Sequence, residues 1–220
     1  MPGVVFDLDG LLLDSEELHY RAYNAVLRRF GVEVDRREYA LHWIGEGHGP
    51  EYAVEHYRLP ISPAELRAAK APIYSELLAR EAELMPGARA ALARLAPQAR
   101  LAIATNSSRR DVDFVLRRFS LEGWFFAVVV REDYIHAKPA PDAYREAVKR
   151  LGVPAGEVLV VEDSPRGVRA AQAAGLAVLA VPNAFTRYCT FPDAVEQLAC
   201  LEELTWERVC RCLAAGSASR

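Results

Sequence analysis

Seven polar residues of this 220-residue chain could together do chemistry if the fold brought them to one place. They follow apolar stretches in four groups and supply four carboxylates, a hydroxyl, an amide and an ammonium: Asp7 and Asp9, Thr105 and Asn106, Lys138, and Glu162 and Asp163. Four neighbouring carboxylates repel one another unless some are protonated or a cation lies among them. An oxygen-only ligand set suits Mg²⁺, which keeps several waters and shares its coordination shell with phosphate. The residue types therefore predict a site for Mg²⁺ and a phosphate group.

Each group alone has an ordinary structural explanation. Asp9-Gly10 is a common turn pair, residues 105–108 could form a loop with a helix N-cap, and residues 162–165 resemble the start of a helix. Lys138 could be a solvated loop cation, although only three of the 27 basic residues are lysine and arginine does not simply replace it. The order of the four groups after successive apolar stretches favours a shared function.

The elements that must position these groups can be read from hydrophobic patterns. Short apolar runs without polar alternation, typical of strands buried on both faces, occupy residues 4–6, 101–104, 127–130, 158–161 and 177–181. Helical patterns lie between them at residues 89–96, 109–119, 141–151 and 165–174. This alternation predicts an α/β fold with a doubly wound, Rossmann-like parallel sheet. Ligands of such sheets bind at the carboxyl ends of the strands, where the four groups lie.

A long helix-rich stretch separates the first strand from the second. Helical patterns occupy residues 16–30, 36–43, 50–57 and 63–80, with Asp14 as the expected N-cap of the first and Pro72 expected to kink or break the last. About 65 residues are too many for one crossover connection. We therefore expect an α/β core of residues 1–14 and 82–220, with an all-helical domain at residues 15–81, called the helical insert below.

Composition excludes several other classes of protein. The chain is 51% hydrophobic and 26% charged, with a net charge of −3, so it is not disordered and has no basic field for nucleic acid or anionic membranes. The first residues do not resemble a secretory signal and no apolar stretch reaches about 18 residues, so we expect neither a signal sequence nor a transmembrane helix. Four cysteines (Cys189, Cys200, Cys210 and Cys212) lack the spacing and histidine partners of a zinc site. We expect a cytoplasmic monomer with free thiols and with no nucleic-acid or membrane partner.

The four groups together resemble the motifs of the haloacid dehalogenase-like hydrolases. They read VVFDLDGLLLDS at residues 4–15, AIATNSS at 102–108, KPAPD at 138–142 and VVEDSPRGV at 160–168. The chain is most similar to the branch of β-phosphoglucomutases and phosphoglycolate phosphatases, in which the helical insert is a small cap. The resemblance implies a Mg²⁺-dependent enzyme acting on a small phosphate ester, such as a sugar phosphate or a phosphoglycolate-like compound.

The resemblance also implies a role for each residue. Asp7 is the expected nucleophile that forms an aspartyl-phosphate, and Asp9 the general acid and base. Thr105, Asn106 and Lys138 are expected to bind the phosphoryl oxygens. The expected metal ligands are Asp7, the backbone carbonyl of Asp9, Glu162 and Asp163. We also expect the Lys138-Pro139 peptide bond to be cis.

The helical insert offers three candidate substrate residues, His19, His48 and Lys70, and a glycine-rich loop at residues 45–49. In β-phosphoglucomutase-like sequences an arginine three residues after a loop glycine binds the second phosphate of a sugar bisphosphate. The matching position here is His48, which favours a phosphatase over the alternative, a phosphosugar mutase. A non-catalytic phosphoacceptor or interaction domain is the remote alternative.

Overall fold

The computed structural model describes residues 1–218, and one parallel sheet organises them. Its strands are β1 (Gly3–Phe6), β2 (Arg100–Ala104), β3 (Ala127–Val129), β4 (Val158–Glu162), β5 (Ala177–Ala180) and β6 (Glu196–Gln197). Their order is β3-β2-β1-β4-β5-β6, with every pair parallel. In the centre, Phe6 of β1 is in register with Ile103 and Val161. The carboxyl ends of β1, β2 and β4 therefore meet at one edge.

Helices cover both faces of the sheet, which confirms the doubly wound fold predicted from the sequence. They are α5 (Ala88–Leu95), α6 (Arg109–Arg118), α7 (Asp142–Leu151), α8 (Pro165–Ala173) and α9 (Trp206–Ala218). Val4 and Phe6 pack with α5, α6 and α9 in one apolar cluster, whereas Val5 packs with α7 and α8 in another. This alternation along β1 explains why its apolar run is continuous.

The segment between β1 and β2 is helical and contains α1 (Glu16–Leu27), α2 (Arg36–Glu38), which continues as π-helical turns over Tyr39–Gly45, α3 (Pro50–His56) and α4 (Pro63–Glu81). It has its own cluster of aromatic and aliphatic side chains, which includes Tyr39 and Trp43. The chain enters and leaves it side by side, because Asp14 N donates to Glu83 O and Met85 N donates to Leu12 O, both at 2.9 Å.

Two local predictions in this segment are wrong, because Asp14 is not the N-cap of α1 and α4 does not break at Pro72. The residue before α1 is Ser15 rather than Asp14, and its side chain makes no capping bond because its hydroxyl donates to Asp9. Helix α4 runs through Pro72 without a break. Proline removes only one backbone hydrogen bond, and α4 is stabilised by a capping box at Ser62 and by burial of Leu66, Tyr74 and Leu78.

The strand β6 and the helix α9 have no counterpart among the predicted elements. Strand β6 has only two residues, and α9 packs on β5 through Val209 and Cys212. The four cysteines are free thiols in this structure. Within residues 1–218, no helix is both long enough and apolar enough to cross a membrane.

Candidate active site

The carboxyl edge of the sheet and the helical segment enclose a cleft of about 710 Å³. All ten residues singled out from the sequence line it: Asp7, Asp9, His19, His48, Lys70, Thr105, Asn106, Lys138, Glu162 and Asp163. The structure therefore brings the four groups together. Their order follows the sheet, since β1 lies between β2 and β4.

Lys138 lies between two carboxylates at the end of β1 and β4. Its Nζ donates to Asp7 Oδ1 at 2.8 Å, to Glu162 Oε1 at 2.7 Å and to the Tyr144 hydroxyl at 2.8 Å. The Tyr144 hydroxyl donates to Glu162 Oε1 at 2.6 Å. Lys138 reaches this position from the loop before α7, and the Lys138-Pro139 bond is cis, as predicted. The ammonium is thus fixed beside Asp7.

Burial and charge act in opposite directions on this pair. Burial disfavours the ammonium, but the carboxylates of Asp7 and Glu162 outweigh it and raise the pKa of Lys138 above its usual value. Burial has the largest effect on the pKa of Asp7. Together with the charges of Glu162 and Asp9, it raises this pKa to about 7, although the charge of Lys138 acts in the opposite direction. The Asp7 carboxyl group therefore ionises near neutral pH, and a further cation would favour its ionised form.

Asp7, Glu162 and Asp163 fit the requirements of a Mg²⁺ site. Each places a carboxylate oxygen within 4.8 Å of the other two, and carboxylate oxygens are the donors that Mg²⁺ prefers. Burial, followed by the charges of Glu162 and Asp7, raises the pKa of Asp163 well above its usual value. A cation among the three carboxylates would remove this repulsion.

Two glycines and an asparagine position these carboxylates. Asn183 Nδ2 donates to Asp163 Oδ2 at 2.8 Å and to the Gly10 carbonyl at 3.1 Å. A Cβ atom on Gly10, which has φ +77°, would lie 2.6 Å from Asp163 Oδ2. A Cβ atom on Gly167 would lie 1.7 Å from Glu162 Oε1. Neither glycine can carry a side chain without displacing a carboxylate.

Glu162 is already strongly hydrogen-bonded. Its Oε1 accepts from Lys138 and Tyr144, and its Oε2 accepts from the backbone of Asp163 and from the backbone and hydroxyl of Ser164 at 3.1 Å. Burial would raise the pKa of Glu162, but Lys138 and these donors lower it. Its expected role as a metal ligand, like that of the Asp9 carbonyl, stays a prediction.

The Asp9 carboxylate contacts side chains from both sides of the cleft. Its Oδ1 accepts from the Ser15 hydroxyl at 2.7 Å and the Tyr74 hydroxyl at 3.2 Å, with His19 Nε2 at 3.4 Å, while Oδ2 accepts from Thr105 at 3.3 Å and from Ser107. Burial favours the protonated acid, but His19, Ser107 and Ser15 together hold the pKa of Asp9 below its usual value. Asp9 is therefore ionised in this arrangement.

His19 and Lys70 lie together beside Asp9, whereas His48 does not. The His19 ring stacks on Tyr74 with centroids 4.0 Å apart, and Lys70 Nζ contacts His19 Nδ1 and lies 3.9 Å from the centre of the Tyr74 ring. Burial lowers the pKa of Lys70 to about 8, against the opposing charges of Asp9 and Glu16. The side chain of His48 is exposed at the rim, 3.4 Å from Glu46 Oε2.

Asn106 is oriented by a tyrosine that the sequence analysis did not single out. Asn106 Oδ1 accepts from the Tyr134 hydroxyl at 2.7 Å and from Lys138 N at 3.2 Å. Both bonds use the oxygen, which leaves the NH₂ group available for a phosphoryl oxygen. Thr105 Oγ1 accepts from Ser107 N at 3.0 Å, which fixes the turn after β2.

Other missed residues are Ser15, Tyr74, Ser107, Tyr144, Arg166 and Asn183, which line the cleft or contact the residues that line it. Tyr144 lies two residues beyond the KPAPD motif, and the helical pattern around it predicts only that its side chain packs in the core. Tyr74 and Asn183 are far from any motif in sequence, so no local pattern connects them to Asp9 or Asp163. Ser107 lay inside a quoted motif without an assigned role.

Comparisons with known proteins agree with this geometry. A model of the haloacid dehalogenase-like hydrolase family matches residues 4–181. A Drosophila melanogaster protein named "Probable pseudouridine-5'-phosphatase" is 36% identical over 188 residues, 81% of this chain and 80% of that protein. The "Phosphorylated carbohydrates phosphatase" of Thermotoga maritima is 32% identical over 185 residues, 80% of this chain and 82% of that protein. A mutant of CbbY from Rhodobacter sphaeroides in complex with xylulose-(1,5)bisphosphate is similar in structure, with a TM-score of 0.79, 32% identity and coverage of 93% of this chain and 96% of that one.

Proposed function

Because the chain belongs to the haloacid dehalogenase-like hydrolase family and is a phosphoric monoester hydrolase, we propose that it cleaves a small sugar phosphate or a phosphoglycolate-like ester through an aspartyl-phosphate on Asp7. The observation that carries this proposal is the contact of Asp7 with Lys138 at the end of β1, 2.8 Å apart. A carboxylate beside a fixed ammonium can approach an anionic phosphate ester, because the ammonium screens the repulsion.

The proposed reaction has two steps on the same carboxylate. In the first, an Asp7 oxygen forms a bond to phosphorus, the ester P–O bond breaks, and Asp9 gives its proton to the departing alcohol oxygen. In the second, Asp9 accepts a proton from water, the water oxygen attacks phosphorus, and Asp7 is released with inorganic phosphate. Thr105, Asn106 and Lys138 bind the phosphoryl oxygens in both steps.

Asp9 must gain a proton for the first step, although its surroundings favour the ionised form. Three of its contacts, those with Ser15, His19 and Tyr74, come from the helical insert. His19 and Ser15 hold the pKa of Asp9 down, so a movement of the insert that removed their contacts would remove interactions that favour the ionised form. We propose that residues 15–81 are a cap domain whose closure also excludes water during the first step.

The carboxylates support a Mg²⁺ requirement. We propose that Asp7 and Asp163 hold the cation, with Glu162 and the carbonyl of Asp9 completing the protein ligands. When bound, Mg²⁺ would neutralise charge on the phosphoryl oxygens and on the ionised carboxylates.

The test is hydrolysis of p-nitrophenyl phosphate with Mg²⁺. We expect turnover that EDTA abolishes and that Asp7→Asn reduces by roughly 10⁴-fold or more, because an amide cannot attack phosphorus. Asp142→Asn is the matched control, since Asp142 lies outside the cleft and pairs with His136. Full activity in metal-free buffer, or in Asp7→Asn, would contradict the proposal.

A phosphosugar mutase is the second candidate, because the contact between His19 and Lys70 places two basic groups beside Asp9. Against it, the loop position that an arginine occupies in mutase-like sequences is the exposed His48. Incubation with β-glucose 1-phosphate and a trace of the 1,6-bisphosphate decides between the two. Glucose 6-phosphate that forms faster than free phosphate would identify a mutase.

A further inference from the structure

Arg166 differs from the other cationic side chains of the cleft because its side chain has no partner among residues 1–218. Lys138 binds Asp7 and Glu162, Arg67 pairs with Glu51, Arg131 donates to the carbonyls of Tyr134 and Ile135, and Lys70 contacts His19. The side chain of Arg166 makes no hydrogen bond or ion pair with any residue in the described part of the chain, and its Nε is buried. The family motif does not account for this guanidinium.

The stem of Arg166 spans from the core to the helical insert. Arg166 is the second residue of α8, and its Cδ packs so closely on Gly47 that a Cβ atom there would lie 3.1 Å away. Burial raises the pKa values of Glu16, Tyr23 and Tyr39, and the charge of Arg166 opposes that rise. All three residues belong to the insert and line the cleft. The guanidinium charge therefore acts on the part of the cleft that the insert contributes.

A second unsatisfied donor belongs to another residue that lines the cleft. Trp43 is only 3% exposed, and its Nε1 has no hydrogen-bond partner. Within residues 1–218, Trp43 Nε1 and Arg166 Nε are the buried side-chain nitrogen or oxygen atoms that lack a partner, and both residues line the cleft. Buried donors without partners are costly and therefore rare in proteins. Two such donors on residues that line one cleft point to a ligand with acceptor atoms.

We propose that Arg166 and Trp43 bind a second anionic group of the substrate, at the end that does not react with Asp7. The inference rests on the proposed phosphatase function and narrows its substrate class to phosphate monoesters that carry a further phosphate or carboxylate. A guanidinium offers paired N–H donors that match the oxygens of either group, and an indole adds a single neutral donor. The reaction itself is unchanged, because this second group stays on the product.

The experiment measures competition with p-nitrophenyl phosphate, so that any compound that enters the site is detected. Two matched pairs of competitors are used, fructose 1-phosphate with fructose 1,6-bisphosphate, and glycerol 1-phosphate with 3-phosphoglycerate. We expect the doubly anionic member of at least one pair to have an inhibition constant about tenfold or more below that of its partner. The first pair reports a phosphate as the second group, and the second pair reports a carboxylate.

Arg166→Met should reduce that preference about tenfold, to little or none, because the charge-assisted hydrogen bonds are lost while the aliphatic part of the side chain still packs. Trp43→Phe should reduce it several-fold. Arg110→Met is the control, since Arg110 is also the second residue of a helix after a strand but is exposed and outside the cleft. Circular dichroism checks folding, and Arg166→Lys, which keeps the charge without the paired donors, should give an intermediate preference.

The inference is overturned if wild type shows no preference in either pair, or if Arg166→Met weakens both members of a pair equally. If wild type does not hydrolyse p-nitrophenyl phosphate at all, the proposed function fails instead. The two failures are therefore distinguishable.

Discussion

The Tyr144 hydroxyl holds Lys138 and Glu162 in one fully buried arrangement, since it accepts from the first and donates to the second. A phenylalanine would leave the ring packed and remove both hydrogen bonds. Lys138 would keep its contacts with Asp7 and Glu162 but lose one constraint on its direction.

We therefore expect Tyr144→Phe to lower kcat about fivefold, because a loss of about 1 kcal/mol of hydrogen bonding corresponds to that factor in rate, and to change KM little. The measurement is steady-state kinetics with p-nitrophenyl phosphate across pH 5–9, because a shifted pH profile would report changed pKa values of Asp7 and Lys138. Tyr188→Phe is the control, as Tyr188 is exposed and outside the cleft. An unchanged kcat and pH profile would show that Tyr144 only packs.

Asp9 offers a different test because its proposed role needs only its carboxylate. Asp9→Asn should reduce turnover on the order of 10²–10⁴-fold, as for removal of a general acid and base. The metal affinity should change little, because the expected ligand is the backbone carbonyl. Turnover near that of wild type would overturn the role of Asp9, and a large loss of Mg²⁺ affinity would show that the side chain takes part in the metal site.

At the scale of elements, α8 must approach β4 closely enough to cover Glu162, and Gly167 makes this possible. Gly167→Ala should therefore displace Glu162 and cost about 1–3 kcal/mol of the free energy of unfolding, as overpacking does, with a loss of activity. Gly123→Ala is the matched control, because a Cβ atom there meets nothing within 4 Å. Urea unfolding gives the free energy of unfolding of wild type and of both variants. Equal stability of the two would mean that Glu162 can move freely.

The sequence predicted the elements that repeat a strong pattern. Continuous apolar runs such as residues 158–161 identified β1 to β5, and their order placed Asp7, Thr105 and Glu162 at one edge. Strand β6 was not predicted, because two residues are too few to show a hydrophobic pattern. The predicted break at Pro72 is absent, because the packing of α4 outweighs the low helix propensity of proline. The N-cap of α1 is Ser15 rather than Asp14, and the Ser15 hydroxyl donates to Asp9, a contact that no local sequence rule contains.

The parts of the site that could not be predicted are those made by residues distant in sequence. Asn183 contacts Asp163 across 20 residues, and Tyr74 contacts Asp9 across 65. Such contacts depend on how the helical insert lies over the sheet, which periodicity does not report. Arg166 lay inside a recognised motif, yet its significance comes from missing partners, which only a structure can show.

For the whole molecule, the buried carboxylates link stability to pH and to Mg²⁺. Burial raises the pKa of Asp7 from 3.8 to about 7, so the folded state binds more protons than the unfolded state between these values. This contribution to stability is present at low pH and is lost as pH rises through about 7. Mg²⁺ requires the ionised carboxylate, so the stabilisation that it gives should increase over the same window.

The measurement is the difference in Tm with and without Mg²⁺ at pH 5 and at pH 8. We expect the larger difference at pH 8. Asp7→Asn should remove much of this pH dependence, because its amide does not titrate. A difference in Tm that is equal at both pH values would contradict the proposed metal site.

The paired backbone bonds between Asp14 and Glu83 and between Leu12 and Met85 bring both ends of the helical insert to one place. An insert with adjacent ends makes little demand on the length or shape of what lies between them. Helices could therefore be lengthened, replaced or exchanged there during evolution while the sheet kept Asp7 and Lys138 in position. In such an architecture the carboxyl edge of the sheet and the residues that the insert places over it can change independently.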